Sequence, residues 1–204
     1  GGVEINPIEF PDKSDPLNKK ELVWLSDEWM DMLQVAFDEA RRLGMKCDLI
    51  VGSGWPFGAE TLPMEDRAQV MLTWAQPLEG GTHYTITKDE IYRAVDPGVT
   101  VQNPDRRFFT ECIKLTPDPI EDLSQVVDLT SDFPGDTIRI DVPEGPHFLY
   151  VMVRVQSFAC VINGAPGAAG SILNHLDAAA VRRYLDSMSD RIEIRLGPLS
   201  DHIR

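Results

Sequence analysis

Positive charge is what this chain most lacks. Its 19 Lys and Arg stand against 33 Asp and Glu, a formal net charge of −14. Repulsion of that size argues against nucleic acid or an anionic membrane as partner and favours a neutral or cationic substrate. Cysteine is scarce as well. Cys47, Cys112 and Cys160 are widely spaced, with no Cys-x-x-Cys pair and no histidine cluster beside them. Neither a zinc site nor a disulfide scaffold is indicated, and the three read as small buried hydrophobes. No apolar run nears the roughly 18 residues that span a bilayer; even residues 148–153 stop at Arg154. There is no Ser/His/Asp order and no Gly-x-Gly-x-x-Gly fingerprint: Gly52-Ser53-Gly54-Trp55-Pro56-Phe57 lacks the third glycine and a following helix. An initiator Met and a signal peptide are missing too, which reads as a processed or excised piece.

What is present is ordinary in bulk and distinctive in places. A hydrophobic fraction of 43% and a charged fraction of 25% fit a globular chain. Its 204 residues suit one or two domains. Residues 1–5 read as a short strand ending at Asn6-Pro7. A polar connection follows, rich in Pro, Asp and Lys, over 7–20. Ser26 is a helix N-cap, with Asp27 and Glu28 at the positive helix end. Trp29, Met32, Leu33, Ala36, Phe37 and Ala40 make one apolar stripe, Arg41 and Arg42 sit in the last turn, and Gly44 ends the helix. Residues 45–51 then read as a buried parallel strand, completing a βαβ unit.

From about 67 to 162 the pattern changes to short β-rich runs, 68–75, 84–92, 108–115, 126–129, 137–142 and 148–158, separated by Gly/Pro turns. Such spacing predicts an antiparallel sandwich. The chain then returns to α/β style. A small-residue loop at 164–170 leads to Asp177, which caps a helix over 178–188 with Val181, Tyr184, Leu185 and Met188 on its apolar side. The expected fold is α/β, a partial (β/α) TIM-type barrel with an inserted antiparallel β-sandwich. Its divisions are 1–65 for the first βαβ unit, 66–162 for the sandwich and 163–204 for resumption of the barrel. A complete barrel needs roughly 200–250 residues, so this one would be incomplete.

The most telling stretch is the loop after the second strand, where Gly52, Gly54 and Gly58 allow sharp turns and present Trp55 and Phe57 around Pro56. Aromatic rings at the C-terminal end of a parallel strand suit sugars, whose C–H faces are apolar; packing of both rings as core is the competing reading. Glu4, near the end of the first strand, could bind substrate or work in acid–base chemistry, or be a solvated acid. Glu60 and Glu65 could reach the same pocket or lie on the surface. Asn174 and His175, before the last helix, could hold sugar hydroxyls or help fix a cation, or serve only as a helix-entry residue and a satisfied histidine. His83, His147 and His202 are assigned no chemistry.

These segments resemble a known family. Gly1-Gly2-Val3-Glu4-Ile5, the run from Trp29 through Glu39-Ala40-Arg41-Arg42-Leu43-Gly44-Met45, and Gly52-Ser53-Gly54-Trp55-Pro56-Phe57-Gly58 look like the start of the catalytic barrel of the bacterial α-L-rhamnosidases of glycoside hydrolase family 106. Ala165-Pro166-Gly167-Ala168-Ala169-Gly170, Leu173-Asn174-His175-Leu176 and Ala180-Val181 with Tyr184-Leu185 are similar to the segment where that barrel resumes. The family usually has Asp where this chain has Asn174, and an Asp-Ser-x-Glu-like motif beyond the point where this chain stops at Arg204. The resemblance implies hydrolysis of terminal α-L-rhamnosides of polysaccharides with inversion. That chemistry takes a protonated carboxyl and a second carboxylate roughly 6.5–9.5 Å apart. Glu4 and Glu60 are the candidate catalytic carboxylates, and Trp55, Asn174 and His175 the candidate substrate contacts. The resemblance further implies calcium in the full enzyme, with no residues to assign to it here. It also implies a secreted or periplasmic location and, as partner, the remaining barrel half of the parent chain. The isolated chain is expected to be inactive. A carbohydrate-binding or interaction module, with its face on the β insertion, is the alternative.

Overall fold

The computed structural model describes residues 1–9 and 20–203. Most of the polar connection expected over 7–20 lies outside the described residues. The elements run in the order β1 (Gly2–Ile5), α1 (Asp27–Arg42), β2 (Lys46–Leu49), β3 (Gly58–Ala59), β4 (Gln69–Leu78), β5 (His83–Thr87), α2 (Lys88–Ala94), β6 (Arg107–Pro117), β7 (Val127–Asp128), β8 (Thr137–Asp141), β9 (His147–Gln156), β10 (Ser171–Ile172) and α3 (Ala178–Leu196). The fold is mixed α/β, with several antiparallel sheets and one parallel pair. Among the described residues no closed barrel forms. Two compact units result: Gly1–Ala68 with Thr100–Pro104 and Ala159–Arg204, and Gln69–Val99 with Asp105–Phe158. Thr100–Pro104 groups with the first unit because Gln102 bridges Ala159 and the Val101 carbonyl accepts the Cys160 N–H.

In the first unit β1 and β2 run parallel, Gly2 opposite Lys46 and Ile5 opposite Leu49, with α1 as the crossover between them. Helix α1 starts where expected: the Ser26 hydroxyl accepts the Trp29 N–H at 3.2 Å. It ends in a Schellman turn, Met45 N–H on the Ala40 carbonyl and Gly44 N–H on that of Arg41, with Gly44 at φ +62°. Its buried side is Met30, Leu33, Phe37 and Ala40. Met32, expected in the stripe, is instead exposed, because Met30 holds the 3–4 spacing with Leu33 and Phe37. Helix α3 runs one pair of turns beyond the expected end at 188. Ala180, Tyr184, Met188 and Ile192 keep an unbroken four-residue spacing into the same core, past the polar Ser189-Asp190 that reads as a stop. That core also takes Trp24, Cys47, Leu62 and Leu173.

The second unit is a four-stranded antiparallel sheet in the order β4-β9-β6-β7, and a two-stranded antiparallel pair of β5 and β8. Strand β9 alternates cleanly. Leu149, Val151, Val153 and Val155 are fully buried against Ile113, Ile138, Ile140 and the Ile91 of α2. Burying each such side chain is worth about 1.5–3 kcal/mol. The run expected as one strand over 84–92 divides in two. Thr87 ends β5 and caps α2 in a capping box, its hydroxyl accepting the Glu90 N–H while the Glu90 carboxylate accepts the Thr87 N–H.

Candidate functional site

Strand register decides which side chains share a face. Val3 and Ile5 lie beside Cys47 and Leu49, and on that face Ile5, Cys47 and Leu49 join the core with α1 while Val3, nearer the strand's start, stays exposed. Alternation therefore sends Glu4 to the opposite face, next to its register partner Asp48, and both are exposed. The Cys47 thiol, on the buried face, is pushed up from its ordinary pKa by burial and by the Asp48 charge, which leaves it an inert hydrophobe. No sequence motif marks Asp48. Period two along 45–49 would have put it opposite Cys47, but pairing it with Glu4 needs the parallel register.

The ends of β1 and β2 are knotted together by one side chain. Ser53 is wholly buried; its hydroxyl donates to the Pro7 carbonyl at 2.8 Å and accepts the Ala165 N–H at 2.9 Å. The segment after β1, the loop after β2 and the 164–170 loop thus meet at a single hydroxyl. Glycines make the approach possible. A Cβ on Gly54, which has φ +70°, would fall 2.5 Å from the Ile162 carbonyl oxygen, and one on Gly58 2.0 Å from that of Ser171. Between these glycines Trp55 bridges Ile162 through both backbone hydrogen bonds, at 2.9 Å each, and the residue is 45% exposed. So exposed a tryptophan is not part of the core. The core reading holds for Phe57 in part, since it packs on the first unit's core and meets the His175 ring edge-on at 6.5 Å.

The other expected residues have local occupations. Asn174 accepts the Leu176 N–H through Oδ1 at 3.3 Å, and its own N–H donates to the Asp66 carbonyl at 2.7 Å. It is therefore a turn residue at the entry to α3. His175 is exposed. Glu60 accepts the Gly167 N–H at 2.8 Å. It lines a cleft of about 440 Å³ with Trp24, Asp66, Arg183, Tyr184 and Arg191, and none of Glu4, Trp55, Asn174 and His175 lines it. The structure therefore brings Glu4 beside Asp48, and His175 beside Phe57, while Glu60 belongs to a different hollow.

In that hollow Asp66 is nearly fully buried and holds the Arg183 guanidinium through two hydrogen bonds, the Nε one at 3.0 Å. The Arg183 hydrogen bond, and then its charge, keep the Asp66 carboxyl below the usual carboxylate range, and Arg183 is raised in turn. Burial pushes the Tyr184 hydroxyl well up, so it stays neutral. Sequence reading missed this ion pair, whose partners lie 117 positions apart. Among the described residues no three His, Cys, Asp or Glu side chains converge as a metal site would need. Nor is any described helix long and apolar enough to cross a membrane.

No family profile and no curated protein matches the chain. Among solved structures it is similar to a rhamnosidase from Novosphingobium sp. PP1Y, with a TM-score of 0.51 and 13% identity. The likeness covers 95% of this chain and 34% of that one, so the chain spans about a third of its neighbour's length. At that identity the likeness is one of fold.

Proposed function

We propose that this chain supplies the opening βα portion of a glycosidase that removes terminal α-L-rhamnosyl groups from polysaccharides with inversion. In this reading β1, α1 and β2 begin a TIM-type barrel, and the antiparallel unit is a β-sandwich inserted into it. One observation carries it. The parallel pair presents Glu4 on the face away from α1, and Ser53 ties the exit of β1 to the loop that exposes Trp55. Substrate pockets of α/β folds form at this end of parallel strands. The rhamnosidase fold likeness supports the substrate class.

The chemistry assigned to these residues is limited. Trp55 stacks on the apolar face of the sugar, with His175 and Asn174 at its hydroxylated rim. Glu4 contributes one carboxylate, with Asp48 as its register partner on the neighbouring strand. Glu60 positions the 165–167 loop through Gly167. Inversion needs a second carboxylate across the sugar, which the rest of the parent barrel contributes. Isolated, the chain turns over an aryl α-L-rhamnoside at no more than background, and the protein that includes the flanking coding sequence turns it over at an enzymatic rate. Turnover by the isolated chain, or none by the longer protein, overturns the proposal.

A second reading draws on the four-stranded sheet. Its open face carries exposed Met71 and Met152, Phe109 with the Arg154 guanidinium 4.2 Å from its ring centre, and stacked Phe148 and Tyr150 rings. Such a face could make the chain a carbohydrate-binding module. Sugar bound there and not at Trp55 would favour it.

A further inference from the structure

The hollow holding Glu60 has features that neither the barrel mouth nor the core requires. Its walls are the 59–63 segment, residues 23–25 and one side of α3. They are fixed in place: the Trp24 N–H donates to the Pro166 carbonyl at 2.8 Å, the Glu60 N–H to that of Gly167 at 3.3 Å, and the Gly167 N–H returns to the Glu60 carboxylate. Its volume, about 440 Å³, lies within the range of small-molecule sites. Arg183, Ser187 and Arg191 stand at four-residue steps along α3 and all line it. The two arginines are therefore about 12 Å apart along the helix axis. Arg183 is clamped by buried Asp66 yet more than half exposed, so its remaining N–H groups are aimed and free to bond. Arg191 is exposed and has no ion pair among the described residues. In a chain of net charge −14, an unpaired guanidinium in a cleft is out of keeping with its surroundings.

We propose that this cleft is a separate subsite for a uronic acid residue of a glycan, its carboxylate held by Arg191 and its hydroxyls by Glu60, Thr61, Ser187 and Arg183. The sugar part of this assignment rests on the carbohydrate reading above; the carboxylate part rests on the cleft alone. Arginine's planar fork matches a carboxylate through two parallel hydrogen bonds. The Glu60 carboxylate has one oxygen committed to Gly167 and can accept a sugar hydroxyl with the other. The same carboxylate, with Asp66 close by, opposes a dianion, which favours a singly charged carboxylate over a phosphate.

Chemical-shift titration of the chain with digalacturonate tests this, with galactobiose as the neutral counterpart and inorganic phosphate as the other anion. Digalacturonate is expected to give saturable shifts at the Trp24 indole N–H and along α3, and galactobiose to bind about tenfold more weakly or not at all. Arg191→Ala, at an exposed position, keeps the fold and weakens digalacturonate about tenfold, and Arg191→Lys restores part of the loss. The proposal is overturned if digalacturonate gives no saturable shift, if galactobiose binds equally well, if Arg191→Ala leaves the affinity unchanged, or if phosphate matches digalacturonate. Rhamnoside turnover by the longer protein is scored separately, so either reading can fail without the other.

Discussion

Ser53 shows how much one hydroxyl can carry. It is buried completely, donates to Pro7 and accepts from Ala165, so three loops depend on it. Ser53→Ala strands a carbonyl and an N–H together and should cost about 1–3 kcal/mol in urea unfolding. A change below about 0.5 kcal/mol would mean the loops hold without it. Asp66 makes a second prediction, in pH. Its pKa is lowered in the folded state by Arg183, so its contribution to stability is present above the ordinary carboxylate value near 4 and is lost as pH falls through the lowered one. Arg183→Met removes that depression and leaves Asp66 buried without its partner. The variant should be less stable at pH 7 by about 2 kcal/mol, and the difference from the unmodified chain should shrink below pH 4. Equal acid sensitivity of the two proteins would contradict the assignment.

Among elements, α1 was the most legible, because its signals are local. Ser26, the acidic first turn, the basic last turn and Gly44 all act within a few residues of where they stand. The strand expected over 84–92 went astray for the opposite reason. Tyr84, Ile86, Ile91 and Tyr92 are apolar enough to read as one β run, and the Thr87-to-Glu90 capping box inside it is the signal that splits them. Thr87→Ala should lower the stability of the second unit by about 1 kcal/mol and fray α2, seen as faster amide exchange over 88–94; unchanged exchange would show the helix held by Ile91 packing alone. Helix α3 ran past its expected end because burial of Ile192 outweighs the polar Ser189-Asp190 pair. The pairing of Glu4 with Asp48 was not legible, since a strand's periodicity gives faces but not neighbours.

At the scale of the whole molecule, α/β character and a β-rich middle were readable from composition and turn spacing. The assembly of the site was not. Of the residues expected to converge, His175 meets Phe57 of the glycine loop, while Glu60 lines a hollow beside α3 that none of Glu4, Trp55, Asn174 and His175 lines. Contacts such as Glu60 with Gly167, or Asp66 with Arg183, join positions more than a hundred residues apart, and no local pattern encodes them. The account as a whole stands on the claim that sugar binds where the parallel pair ends. Crystals soaked with L-rhamnose measure this directly. The account predicts density stacked on the Trp55 indole, with a hydroxyl within about 3 Å of the Glu4 carboxylate. Density confined to the open face of the four-stranded sheet, or Trp55 left bare in a crystal that binds the sugar elsewhere, would contradict it.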